Sequence, residues 1–113
     1  MITAAQIKSF RLALERERDE LRQLSDTTVA DRAPVTLDQQ SVGRLSRMDA
    51  MQQQSMDIAR EQRRQQRIKV IEAALSRIDA DDYGYCFTCG EDISSDRLNA
   101  DPAATRCQDC MKA

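Results

Sequence analysis

Apolar residues in the first 80 positions recur at spacings of three and four, which is typical of helices that pack along one side. In the first of two such segments, the apolar positions fit a heptad pattern that one polar residue, Glu17, interrupts. The apolar positions are Ile7, Phe10, Leu14, Leu21 and Leu24. Thr3 precedes the segment and Gln6 follows three residues later, so a capping box is predicted to begin this helix.

A second and longer helical segment runs from about Gln39 or Ser41 to Asp79 or Ala80. It contains no proline, and at 1.5 Å per residue it would extend about 60 Å. Two apolar seams are predicted along it. The N-terminal seam comprises Leu45, Met48, Met51 or Gln52, Ser55 and Ile58, and the C-terminal seam comprises Ile68, Ile71, Leu75 and Ile78.

The charges predict that the two helices form an antiparallel hairpin. The stretch Arg60–Arg67 holds no apolar residue and carries a charge of +3, whereas Glu15–Glu20 carries −2. Antiparallel pairing that places residue 3 beside about residue 79 brings these stretches together and sets the register, although exposed ion pairs contribute only about 0–1 kcal/mol each. Solvated charge runs on unrelated helices are one alternative. An antiparallel dimer of two chains is another.

Four cysteines stand in two pairs near the end of the chain. Cys86-Phe-Thr-Cys89 and Cys107-Gln-Asp-Cys110 have two residues within each pair and 17 residues between the pairs. A two-residue spacing lets a tight turn aim both sulfurs at one ion, and the longer gap lets the second pair complete a tetrahedron. Gly90 follows the first pair, where a positive φ lets backbone N–H groups face the thiolates. The spacing therefore predicts one structural Zn²⁺ bound by Cys86, Cys89, Cys107 and Cys110.

Other uses of the cysteines have less support. Disulfides need an oxidising compartment, whereas Met1 leads directly into a charged amphipathic segment without a signal peptide, which predicts a cytoplasmic protein. A redox CxxC is expected in a βαβ unit, and no parallel-strand pattern is present. Four thiolates leave zinc no position for a catalytic water, and the chain lacks histidine and a phosphate-binding glycine loop. We therefore predict that the protein is not an enzyme.

The predicted fold class is mainly α: a long antiparallel coiled-coil helical hairpin with a small C-terminal four-cysteine zinc finger. The hairpin is assigned to residues 1–80, with its tip at about residues 25–49, and the finger to residues 81–113. The polar tip residues predicted to contact a partner are Asp38, Arg44, Arg47 and Asp49. The alternative roles are an N-cap for Asp38 and simple solvation for the arginines.

The finger segment has its own composition. Its predicted small core comprises Tyr83, Tyr85, Phe87, Ile93 and Leu98, and zinc is expected to be needed for it to fold. Seven acidic residues against three basic ones make this segment a poor partner for a phosphate backbone, so no sequence-specific nucleic-acid contact is predicted. No apolar run approaches the ~20 residues of a membrane span.

The finger segment resembles a known family. Tyr83-Gly-Tyr-Cys-Phe-Thr-Cys-Gly-Glu-Asp-Ile93, followed by Arg97-Leu98, Pro102 and Cys107-Gln-Asp-Cys110, is similar to the C4 zinc-finger signature of the DksA/TraR family. The resemblance is specific over Ile68–Cys110 and looser over the hairpin. It implies a coiled-coil hairpin joined to a zinc finger, in agreement with the periodicity.

The resemblance also implies a function. Members of this family are bacterial transcription regulators that insert their coiled coil into the secondary channel of RNA polymerase, toward the catalytic Mg²⁺. The best-known members carry an Asp-x-x-Asp-x-Ala motif at the tip and cooperate with ppGpp. Here the nearest string is Thr28-Val-Ala-Asp-Arg-Ala33, so polymerase binding carries over better than the transcriptional effect, and no ppGpp contact carries over. The alternatives are a thiol or zinc redox sensor and a helical protein–protein adaptor.

Overall fold

The computed structural model describes residues 2–33 and 44–112, although the side chains of residues 44–46 and 112 are not described. In these residues, the helices are α1 (Ala4–Thr27), α2 (Arg44–Asp79), α3 (Ser95–Ala100) and α4 (Gln108–Lys112), with a 3-10 turn at Val29–Arg32. α1 and α2 lie side by side and antiparallel, because Arg11 bonds to Asp79 at one end and Ser25 to Glu61 at the other. The molecule measures 64 × 30 × 19 Å. The predicted fold class is confirmed.

The helix ends follow from local hydrogen bonds. At the start of α1, Thr3 Oγ1 accepts from the Gln6 backbone at 3.1 Å and Gln6 Oε1 accepts from the Thr3 backbone at 2.8 Å, which confirms the predicted capping box. At the end of α2, the Asp82 N–H donates to the Arg77 carbonyl at 2.8 Å, and Asp81 adopts a φ of 56°. These are the features of a Schellman motif, which ends the helix sharply and turns the chain toward the cysteines.

The base of the hairpin is its apolar end. The C-terminal seam of α2 is buried as predicted (Ile68, Ile71, Leu75 and Ile78). Phe10 and Leu14 of α1 pack into the same cluster, together with residues that follow α2: Tyr83, Cys86, Ile93, Leu98, Ala103 and Ala104. One apolar core therefore continues across residue 80, where the sequence analysis places the boundary between hairpin and finger.

The prediction for the N-terminal seam of α2 is wrong. Met48, Met51 and Ile58 are 59%, 56% and 39% exposed. The heptad pattern of the C-terminal seam instead continues from Ile68 toward the start of α2, with unbroken spacings of three and four. From Asp57 back to Arg47, its positions fall one residue before the predicted ones. These partly buried residues are Arg47, Ala50, Gln54, Asp57, Glu61 and Arg64. The distal inner face is therefore mostly polar, and hydrophobicity alone cannot identify it.

Polar contacts line this distal inner face. Glu61 accepts a hydrogen bond from Ser25 at 2.7 Å and forms an ion pair with Arg32 at 3.1 Å. Partial burial raises the pKa of Glu61, but hydrogen bonds from Gln65, Ser25 and Arg64 outweigh it and leave the pKa below its ordinary value. Ser25 is buried, whereas Leu24 is exposed, so the predicted place of Leu24 in the α1 seam is also wrong.

The predicted charge pairing across the hairpin holds at one position. Glu17 of α1 bonds to Arg67 of α2 at 2.5 and 3.1 Å. Two other cross-helix pairs have the opposite polarity, since Arg11 bonds to Asp79 at 2.6 Å and Arg22 to Glu72 at 2.5 Å. Arg60 and Arg64 pair within α2, with Asp57 and Glu61. The register therefore depends on individual pairs more than on two opposed blocks of charge.

Candidate metal centre

The first cysteine pair lies in a short hairpin-like loop. Tyr85 and Asp92 form an antiparallel bridge, and the Ile93 N–H donates to the Gly84 carbonyl at 2.8 Å. Within the loop, the Gly90 N–H donates to the Cys86 carbonyl at 2.9 Å, and Gly90 has a φ of 76°. The positive φ expected at Gly90 is confirmed, and the tight turn brings the two cysteines to the same side of the loop.

The second pair lies at the start of α4. Cys107 immediately precedes the helix and Cys110 lies in its first turn, where the Met111 N–H donates to the Cys107 carbonyl at 3.0 Å. The Phe87 N–H donates to the Thr105 carbonyl at 2.8 Å. This bond joins the two halves of the finger and places the second pair opposite the first.

The four sulfur atoms form one cluster whose size fits a zinc ion. All four Sγ atoms lie within 4.8 Å of one another, and Cys89 Sγ lies 3.7 Å from Cys107 Sγ. Tetrahedral coordination with Zn–S bonds of about 2.3 Å places sulfurs about 3.8 Å apart. Four thiolates of this spacing suit a closed structural site, with no position left for a reacting water.

The thiols of the cluster differ in pKa. Hydrogen bonds from the backbone of Cys107 and of Cys89 lower the pKa of Cys86 to about 6. Hydrogen bonds with the side chains of Cys107 and Cys86 raise the pKa of Cys110 to about 12. Adjacent thiols thus resist losing all of their protons until a cation compensates the negative charge. Zinc binding must release these protons, so the affinity for zinc falls as the pH falls.

The finger rests on the base of the hairpin through both apolar and polar contacts. The rings of Phe10 and Tyr83 lie 6.1 Å apart, and the Tyr83 hydroxyl donates to the Pro102 carbonyl at 2.6 Å. Arg67, already bound to Glu17, also donates to Asp101 at 3.0 Å. Partial burial raises the pKa of Asp101, but hydrogen bonds from Arg67 and the Ala103 backbone outweigh it and hold the pKa below its ordinary value.

The predicted finger core is partly wrong. Tyr83, Ile93 and Leu98 are buried, whereas Tyr85 and Phe87 are exposed. The Phe87 ring instead lies 5.1 Å from the Arg77 guanidinium, in a cation–π contact. Ala103 and Ala104 were not among the predicted core residues, but they are buried where the finger meets the hairpin. The signal available for these two residues was their small size beside Pro102, since small side chains permit close packing.

The contact between Arg67 and Asp101 was also not predicted from the sequence. Arg67 was part of a basic run, and Asp101 was counted only among the acidic residues of the finger. The available signal was the position of Arg67 beside Ile68, where the polar run meets the apolar seam. Its second partner lies 34 residues away along the chain, which no local pattern reveals.

The predicted tip residues are described unequally. Asp38 lies outside the described residues, and Arg44 is the first residue of α2, where only the backbone is described. Arg47 is half-buried on the inner face, and Asp49 is exposed. The structure therefore places Arg47 and Asp49 near the distal end of α2, and their contribution to binding stays a prediction.

A helical hairpin whose base packs on a four-cysteine cluster defines a C4-type zinc-finger protein with one structural zinc. Residues 81–111 match the family model described as the prokaryotic dksA/traR C4-type zinc finger. The chain is 35% identical over 109 residues to the RNA polymerase-binding transcription factor DksA of Escherichia coli K12, a match that covers 94% of this chain and 69% of that protein. The chain belongs to the DksA/TraR family.

Two further comparisons show how far the likeness extends. DksA of Haemophilus influenzae is 45% identical over 56 residues, which cover 50% of this chain and 39% of that relative, well under half of its length. The solved structure of transcription factor DksA2 from Pseudomonas aeruginosa superposes with a TM-score of 0.80 at 26% identity, and covers 96% of this chain and 82% of that one. Among the described residues, no helix is both long and apolar enough to cross a membrane.

Proposed function

We propose that this protein is a cytoplasmic, non-enzymatic regulator of transcription that binds RNA polymerase through its secondary channel. The observation that carries the proposal is the extent of the likeness to E. coli DksA, which spans 94% of the chain and so includes the hairpin as well as the finger. An elongated molecule of 64 × 30 × 19 Å, with the hairpin as its long element, suits insertion into a narrow channel. Zinc has a structural role, and the hairpin reaches the polymerase.

The binding test is a competition experiment. Zinc-loaded protein is mixed with core RNA polymerase, and a factor known to occupy the secondary channel is added at increasing concentration. Displacement of the protein is expected. Tight binding that resists the competitor contradicts the channel assignment, and an absence of binding at micromolar concentration contradicts polymerase binding altogether.

The zinc ligands proposed are Cys86, Cys89, Cys107 and Cys110. Their cluster dimensions fit the ion, as described above. We expect one zinc per chain by elemental analysis and a marked loss of retained zinc in Cys107→Ser, because three thiolates bind zinc less tightly than four. Retention of one zinc at unchanged affinity in single serine variants of all four positions contradicts this ligand set.

The transcriptional effect is assigned to the tip at about residues 25–49, with Asp38, Arg44, Arg47 and Asp49 as its polar groups. Residues 1–80 then act as the inserted rod and residues 81–113 as its zinc-stabilised base. Substituting Arg47→Ala and Asp49→Ala together is expected to abolish the effect on promoter output and leave polymerase affinity within about two-fold, because rim and tip charges add little to affinity. Unchanged promoter output in this double variant contradicts the tip assignment.

A further inference from the structure

Among the residues that the structure describes, the distal half of α2 carries an exposed apolar stripe that does not face α1. The distal stripe comprises Met48, Met51, Ser55 and Ile58, whose spacings of three, four and three place them on one side of the helix. Met48, Met51 and Ile58 are exposed, and the Ser55 hydroxyl is turned back onto the Met51 carbonyl at 3.0 Å. These three apolar side chains and one serine form a mostly apolar surface about three turns long.

This stripe is distinct from the face that contacts α1. The inner face follows the residues one position earlier in the chain, and one residue corresponds to about 100° of rotation around a helix. Gln54 of the inner face donates to the Ala33 carbonyl, and Glu61 bonds to Ser25. Across residues 2–33 and 44–112, helix packing thus satisfies a polar seam, while the neighbouring apolar side chains are exposed.

The stripe's surroundings indicate what kind of partner it fits. Gln52 and Gln54 flank it, one on each side, and carry no charge, whereas a nucleic acid requires clustered arginine and lysine. A second copy pairing through this stripe would bury only on the order of 300–400 Å² per chain, well below the ~600 Å² per partner of a small stable interface. A groove that encloses the helix buries more of each side chain, and flexible methionines adapt well to such a groove.

We infer that the distal stripe docks into an apolar groove on RNA polymerase and supplies much of the affinity for it. The inference rests on the proposed function, and it assigns different roles to the charged and the apolar side chains of α2. Arg47 and Asp49 contribute charge at the tip, and the apolar side of the same helix holds the rod in place. Helix-in-groove binding uses anchors at this spacing.

The test replaces the three apolar stripe residues together, as Met48→Gln, Met51→Gln and Ile58→Gln. Glutamine is a good helix former and the positions are exposed, so the fold is expected to persist, which circular dichroism checks. Met56→Gln is the matched control, because Met56 is 45% exposed but lies about 120° around the helix from the stripe's centre. The conservative variant combines Met48→Leu and Met51→Leu.

The readout is the affinity of each zinc-loaded variant for core RNA polymerase. We expect the triple variant to bind about 10- to 100-fold more weakly, with Met56→Gln within two-fold of the unsubstituted protein and the leucine variant close to it. Equal affinity of the triple variant overturns the stripe inference and leaves the proposed function standing. A dimer in sedimentation that the triple variant abolishes assigns the stripe to a second copy and also overturns it. An absence of binding by the unsubstituted protein instead overturns the proposed function itself.

Discussion

At the scale of single residues, Asp81 occupies a position that glycine usually takes. Its φ of 56° lies in the left-handed region, just beyond the end of α2. Aspartate tolerates this region better than most residues but still costs free energy there, and its negative charge lies near the negative end of the helix dipole.

Replacing Asp81 by glycine should therefore stabilise the protein. We expect the free energy of unfolding to rise by about 0.5–1 kcal/mol, because glycine removes both the backbone strain and the unfavourable charge. Chemical denaturation of the zinc-loaded protein measures this. Asp82→Gly is the control, since it removes the same charge one residue on without a positive φ to relieve, and an equal gain there would show that charge alone is responsible.

Because of Tyr83, the stability of the protein should vary with pH in the alkaline range. Burial raises its pKa to about 12, so the folded state favours the neutral phenol. The resulting stabilisation is complete below pH 10, near the ordinary tyrosine pKa, and is lost as the pH rises toward 12. Tyr83→Phe removes this titration along with the hydrogen bond to Pro102. At pH 8 we expect this variant to be less stable by about 1 kcal/mol, a deficit that shrinks between pH 10 and 12 in urea unfolding. A constant difference contradicts the assignment.

At the scale of secondary-structure elements, Arg67 joins three parts of the chain. It lies on α2 and bonds to Glu17 of α1 and Asp101 of the finger. Those bonds raise the pKa of Arg67 far above its ordinary value. An arginine that satisfies two carboxylates at once holds the finger at a fixed position along the rod.

Removing Arg67 should cost more than removing another arginine of the same run. We expect Arg67→Ala to lower the free energy of unfolding by about 1–2 kcal/mol, because two partly buried carboxylates lose their charged donor. Arg63→Ala, at an exposed position four residues earlier, should change it by less than about 0.5 kcal/mol. Urea denaturation of both variants tests this, and equal effects would mean that the junction has no special role.

The sequence predicts where the helices lie better than it predicts which side of each helix faces the other. Capping and periodicity predict Thr3 as the N-cap of α1, the four apolar residues of the C-terminal seam and the end of α2. They do not predict the distal seam, because its inner positions are polar while an apolar stripe lies one residue away. Periodicity detects both stripes, but only the tertiary contacts of Ser25 and Glu61 show which one faces inward. For the same reason, a buried serine replaces Leu24 in the α1 seam.

At the scale of the whole molecule, finger and hairpin share one apolar core, so metal and hairpin stability should be coupled. Removing zinc with a chelator under reducing conditions is expected to lower the free energy of unfolding by several kcal/mol and to loosen the base of the hairpin, because Phe10 and Leu14 lose Tyr83 and Leu98 as neighbours. Thermal unfolding followed by helical circular dichroism measures the effect. A helical transition unchanged by zinc removal would show two independent units divided near residue 80.

The metal centre was the part of the molecule most predictable from the sequence, and the contacts between the finger and the hairpin were the least predictable. The cysteine spacing and the turn at Gly90 are set by covalent geometry within short loops, so both can be inferred from the local sequence. The orientation of the aromatic residues depends on where the finger meets the hairpin. Tyr83 turns inward to Phe10, whereas Phe87 turns outward to Arg77, and nothing in their local sequence distinguishes the two rings.

The polar inner face of the distal hairpin also determines how the molecule opens. Backbone amides exchange with solvent through local openings, and an opening costs least where few apolar contacts break. Protection should therefore fall along α2 from Ile71, which is fully buried, toward Gln54, whose neighbours are polar and half-exposed. We therefore expect α2 to be more rigid where it meets the metal centre than at its distal end, so that the end proposed to dock on the polymerase is also the end that can most readily adjust its shape.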